Sequence, residues 1–111
     1  MSDLADRSCV PCRGGVPPLE PGVRAALLRQ LGSGWRVIDG HHLEQHLRCA
    51  DFKSALDFVN RVGAVAEEQG HHPDIELGWG RVVLRLHTHA IDGLTESDFV
   101  LAAKLERLDR P

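Results

Sequence analysis

The chain has 111 residues, with 13 Lys plus Arg against 16 Asp plus Glu, 42% apolar residues, seven histidines and no tyrosine. That length predicts one compact domain and excludes a cofactor domain joined to a separate substrate domain, so any function comes from one small site. The net charge of −3 with neutral histidine becomes −3 + 7 = +4 when every imidazole is protonated, so histidine titration sets its sign.

Only two lysines and a mildly acidic balance argue against a phosphate-binding groove, so direct nucleic-acid binding is not expected. No apolar run reaches membrane-spanning length and the polar start does not resemble a signal peptide, which predicts a cytoplasmic protein with no membrane partner. Three cysteines, Cys9, Cys12 and Cys49, are an odd number in a reducing compartment and do not read as a disulfide framework.

Residues 1–18, with Pro11, Gly14, Gly15, Pro17 and Pro18, show no sustained periodicity and read as a flexible N-terminal arm ahead of a single domain at 19–111. Pro21 suits a first helical turn, and Val23, Ala26, Leu27 and Leu31 recur on one face before Gly32 and Gly34. Asp39-Gly40 between extended runs then predicts a hairpin. Asp51 caps a long helix with Phe52, Ala55, Leu56, Val59, Val62, Gly63 and Ala66 on one face, and Gly70 ends it. Pro73 forces His72 out of helical angles, so His71-His72-Pro73 is an extended exit. A strand follows around 75–77, and the alternation over 81–89 predicts a central strand ending at His89. Thr95-Glu96-Ser97-Asp98 opens a last helix as a capping box. The order predicts an α+β domain, a four-stranded, mostly antiparallel sheet with three helices packed on one face.

The densest chemistry lies in Glu67, His71 and His72, with His89 and Asp98 further on, and both histidine groups reach one rim of the sheet. Imidazoles titrating near neutrality can donate a proton to a leaving group and accept one from a substrate, which suits dehydration or isomerisation. Two other readings of the residues stand beside this one. His71 and His72 at a helix C-terminus are also explained by the helix dipole. The set His71, His72, His89 and Glu67 offers metal-ligand atoms, although neighbours in extended chain point apart and no HExxH pair is present. Trp79 either fills the core or faces a flat ligand, and Asp98 is explained as a helix cap. Cys9-x-x-Cys12 is half of a zinc pattern and reads as an unliganded arm, Cys49 as a small buried strand residue, and His41, His42 and His46 as solvated hairpin positions. Arg85 and His87 share a strand face with His89 and line its approach, a subunit contact or solvent.

The ordered pattern Glu67-x-x-x-His71-His72-Pro73, Trp79, Thr88-His89, Gly93-Leu94-Thr95 and Asp98 resembles the pterin-4a-carbinolamine dehydratases. Leu19-Glu20, Gly34-Trp35, Phe52, Phe58, Phe99 and Ala102 extend the similarity over roughly residues 19–106. The resemblance implies dehydration of 4a-hydroxytetrahydropterin to quinonoid dihydropterin, with no metal and no cofactor of its own. It assigns proton transfer to His71 and His89, pterin binding and orientation to His72, a supporting carboxylate to Glu67 and a ring-facing aromatic to Trp79. Pro73, Thr88 and Asp98 are structural at the site. It also implies a homodimer or homotetramer and a protein partner, a hydroxylase or a RuBisCO assembly system. One position departs: family members usually carry an acidic residue after the strand histidine, where this chain has Ala90. That departure points to the alternative of a dehydratase-like assembly factor without catalysis.

Overall fold

A computed structural model describes residues 4–10, 14–32 and 34–111. Its sheet contains β1 (Arg36–Ile38), β2 (His42–Arg48), β3 (Asp74–Gly78) and β4 (Arg81–Leu86) in the spatial order β1-β2-β4-β3. Every neighbouring pair is antiparallel, so β4 is central as its alternation predicts. Helices α1 (Pro21–Arg29), α2 (Phe52–Gln69) and α3 (Glu96–Glu106) cover one face, giving the expected α+β architecture.

The period of two in a strand sends Val82, Leu84 and Leu86 of β4 and Leu43 of β2 toward the helices, and all four are buried. On the opposite face Arg85 bridges Glu44 and Glu76, each at 2.8 Å. Helix α2 meets the core through Ala55, Phe58, Val62 and Ala66. This corrects the expected apolar face. Phe52 and Leu56 lie on the outer side, exposed among the large apolar residues, and Phe58 takes the central place instead.

Both ends of α2 follow local chemistry. Asp51 Oδ1 accepts the Ser54 N–H at 2.8 Å, and Gly70, at φ +65°, turns the chain left-handed where a side chain would be strained. The His71 N–H then donates to Ala66 O at 3.3 Å, which fixes the angle at which the two histidines leave the helix.

Helix α3 is buried on nearly every side, from Ser97 through Ala103 and at Leu105. A helix apolar all round needs cover on its outer face, and the N-terminal segment supplies it. Residues 1–18 read as a loose arm from composition, yet over 4–10 they lie along α3. Leu4 is fully buried, Lys104 Nζ donates to Ala5 O at 2.8 Å, and the Val10 N–H donates to Ser97 Oγ at 2.8 Å. Cys9 is half-buried in this contact, and burial pushes its thiol up to about 11. Cys12 lies outside the described residues, and with it the Cys9–Cys12 pair. Among the described residues, no helix is long and apolar enough to cross a membrane.

Candidate functional site at one end of the sheet

Antiparallel pairing brings distant segments together at one end of the sheet. Asp74, at the start of β3, faces Arg85 near the end of β4, and Leu43, at the start of β2, faces Leu86. The C-terminus of α2 runs into β3 there, and Thr88 bridges to Gly93 just ahead of α3. Residues 41–42, 71–74, 87–92 and 95–98 therefore share one rim.

The most enclosed contact at this rim joins His71 to Asp98. His71 Nε2 lies 2.6 Å from Asp98 Oδ1, with the imidazole 14% exposed and the carboxylate fully buried. Asp98 Oδ2 accepts from Thr88 Oγ1 at 2.8 Å and from the Thr95 N–H at 2.9 Å, and the Thr88 and Thr95 hydroxyls are 2.8 Å apart. A buried carboxylate without such donors would be costly, and here the α3 capping box, the β4 exit and His71 all meet it. An imidazole that donates from Nε2 to a carboxylate carries its lone pair on Nδ1, the atom left to exchange a proton with a ligand. Asp98 therefore caps α3, as its position predicts, and also orients His71, which a cap alone does not require.

His72 turns the other way, as adjacent residues in extended chain do, and its Nε2 lies 2.5 Å from Glu67 Oε2. Both side chains are exposed, and Pro73 separates them from β3. His89 does not end a strand as expected. β4 stops at Leu86 because Thr88 leaves the ladder for Gly93, and His89 opens a short 3-10 turn that ends at Ile91. Its Nε2 is 3.9 Å from Asp74 Oδ2, and both side chains are about 60% exposed.

Trp79 is not at this rim. It lies in the turn after Gly78, which pairs with Arg81 at the other end of β3 and β4 from Asp74, and it is 72% exposed. It neither fills the core nor approaches the histidines, because the five-residue strand β3 carries it away from them. The metal set His71, His72, His89 and Glu67 is not assembled either. His71 turns to Asp98 and His72 to Glu67, and neither joins a group of ligand atoms among the described residues.

A row of histidines extends the rim: His87 stands beside His89, one of the places the sequence left open for it, and His41 and His42, expected as solvated hairpin positions, continue the row. The His89 and His87 rings have centroids 4.1 Å apart, His87 and His41 4.7 Å, and His41 and His42 5.3 Å. His41 Nε2 is 2.7 Å from Asp92 Oδ1, and His41 Nδ1 is 3.0 Å from His42 Nδ1. Burial, followed by the charges of His89 and His41, pushes the His87 imidazole below its usual range. His46 is separate, at 2.8 Å from Glu44, and this contact with those of Arg85 and His42 holds the Glu44 carboxyl down to about 2. The signal for the row was present: Asp39 and Gly40, both at positive φ, fix a tight β1–β2 turn that sets His41 and His42 beside the β4 exit.

Residues 17–108 match the family model described as pterin 4 alpha carbinolamine dehydratase. The chain belongs to this family. A protein of Rubrobacter xylanophilus provisionally named pterin-4-alpha-carbinolamine dehydratase is 61% identical over 97% of this chain and all of its own length. A similarly named protein of Alkaliphilus metalliredigens is 48% identical over 96% of each chain. The crystal structure of a transcriptional coactivator/pterin dehydratase from Brucella melitensis superposes with a TM-score of 0.74 at 31% identity, over 81% of this chain and 96% of that one. A pterin dehydratase-like protein described as a RuBisCO assembly factor in the alpha-carboxysome shares the fold, with a TM-score of 0.57 at 24% identity over 66% of this chain and 86% of that one. In this pterin carbinolamine dehydratase-family chain Ala90 follows His89, and a carboxylate approaches the His89 imidazole from β3, where Asp74 Oδ2 lies 3.9 Å from its Nε2.

Proposed function

We propose that the protein is a hydro-lyase that removes water from 4a-hydroxytetrahydropterin to give quinonoid dihydropterin. The observation that carries this reading is the His71–Asp98 contact at 2.6 Å on a fully buried carboxylate, in a chain of this family. In the reaction the C4a–O bond breaks, the oxygen leaves as water after taking a proton, and a ring nitrogen gives up its proton as its electron pair forms the new double bond. His71, oriented by Asp98, exchanges one proton through Nδ1, and His89 handles the other from the open side of the rim. His72, paired with Glu67, orients the pterin, while Pro73 and Thr88 hold the segments that carry these groups. Positioned proton transfer of this kind contributes on the order of 10²–10⁴-fold to rate.

The proposed setting is the cytoplasm, and the proposed state is a homo-oligomer. Exposed Phe52 and Leu56, with Val59 and Gly63 beside them, form an apolar stripe along α2 that suits helix packing between copies. Light scattering on wild type and Phe52→Glu tests the oligomer, with a smaller mass expected for the variant.

Stopped-flow measurement of 4a-hydroxytetrahydropterin loss tests the activity. Wild type should accelerate it at micromolar concentration, and no acceleration contradicts the reading. Ala90 favours one competing reading, a non-catalytic assembly factor that binds a protein partner through the same fold, and that reading predicts no acceleration.

A further inference from the structure

Among the described residues, two groups of side chains place one ligand atom each within 4.8 Å of one another: Asp74 with His87 and His89, and His41 with His87 and Asp92. Both contain His87, so one ion at His87 selects between them. In the second group both His41 ring nitrogens are occupied, Nε2 by Asp92 at 2.7 Å and Nδ1 by His42 at 3.0 Å, and an ion would have to break these contacts. In the first group His89 Nε2 and Asp74 Oδ2 stand 3.9 Å apart, too far for a hydrogen bond. Two bonds of about 2.0–2.1 Å to a zinc-sized ion span that gap.

We propose that Asp74, His87 and His89 form a site for one divalent transition-metal ion, Zn²⁺ in the first instance, and that its occupation silences proton transfer by His89. Two imidazoles and one carboxylate are the donor set such an ion takes, with water completing the coordination. The chain leaves β4 at Leu86, and the turn that His89 opens brings the His87 and His89 rings together, with centroids 4.1 Å apart. Asp74 and His89 are both about 60% exposed, so the ion has an entry path. A lone pair given to the metal cannot accept a proton, so the ion acts as an inhibitor. The silencing half of the proposal rests on the proposed dehydratase function, and the binding half does not.

The test is titration calorimetry of tag-free full-length protein with ZnCl₂ in a non-chelating buffer. Wild type should bind one ion per chain, Asp74→Asn and His87→Ala should each weaken binding at least tenfold, and His41→Ala should leave it within twofold. Asp74→Asn changes an exposed carboxylate to its isostere and carries the test should His87→Ala fold poorly. No binding by wild type, or a loss in His41→Ala equal to that in His87→Ala, overturns the site. Stopped-flow dehydration with Zn²⁺ at saturation should fall at least tenfold in wild type, and an unchanged rate overturns the silencing. A wild type without dehydratase activity at all would instead contradict the proposed function and leave the titration result standing.

Discussion

The two histidine groups at the rim are built in opposite ways. His71 sits against a fully buried carboxylate that already serves a hydroxyl and a backbone N–H, so its ring has one orientation. His89, His87 and His41 form an open row with carboxylates only at its edges, Asp74 at 3.9 Å and Asp92 on a turn. The closed group draws its precision from satisfied buried polar atoms, and the open group keeps the freedom to accept a ligand. Variants can be ranked by how strongly they separate these behaviours.

The largest effect is expected from Asp98→Ala. It strands the His71 ring, the Thr88 hydroxyl and the Thr95 N–H, and removes a helix cap, so denaturant unfolding should show a loss of about 3 kcal/mol. Turnover should vanish with it.

His71→Ala and His89→Ala come next and separate the groups directly. Both should lower turnover by about 10²–10⁴-fold. Only His71→Ala should also lower stability, by about 1–3 kcal/mol, because it leaves Asp98 buried without that partner. His89→Ala should fall within about 0.5 kcal/mol, as exposed positions do.

A smaller effect concerns acid. Burial, then His89 and His41, pushes His87 below the ordinary imidazole value of about 6.5, so as pH falls the unfolded chain takes up a proton there before the folded one does. The stability linked to His87 is full above about pH 6.5 and declines as pH falls from there to the folded value. In thermal melts His87→Gln should flatten this decline. The least change is expected from Trp79→Ala, within about 0.5 kcal/mol and twofold in turnover, because its side chain stands in solvent at the far end of β3.

The local parts of this architecture are legible in the chain. Asp51 and Gly70 bound α2, Asp39-Gly40 makes the hairpin turn, and Thr95 with Asp98 caps α3, because each is decided within a few residues. Helical period alone does not say which part of a wide apolar arc faces the core. Phe58 is inside, with Phe52 and Leu56 outside, because the sheet lies on that side of α2. The packing of Leu4 depends on α3, more than ninety residues on, and composition cannot show it. The histidine row needs two pairings at once, β2 with β4 and β3 with β4, before His41, His87, His89 and Asp74 become neighbours. Trp79 misleads because a motif position fixes an order in the chain, whereas β3 carries the side chain to the other end of the sheet.

The most direct test of the central claim is stopped-flow decay of 4a-hydroxytetrahydropterin with wild type, Asp98→Asn and His71→Ala under one set of conditions. The account predicts fast decay with wild type, strong slowing in Asp98→Asn with the fold retained, and no more than residual acceleration in His71→Ala. Decay at the uncatalysed rate with wild type, or at the full rate with His71→Ala, would contradict it.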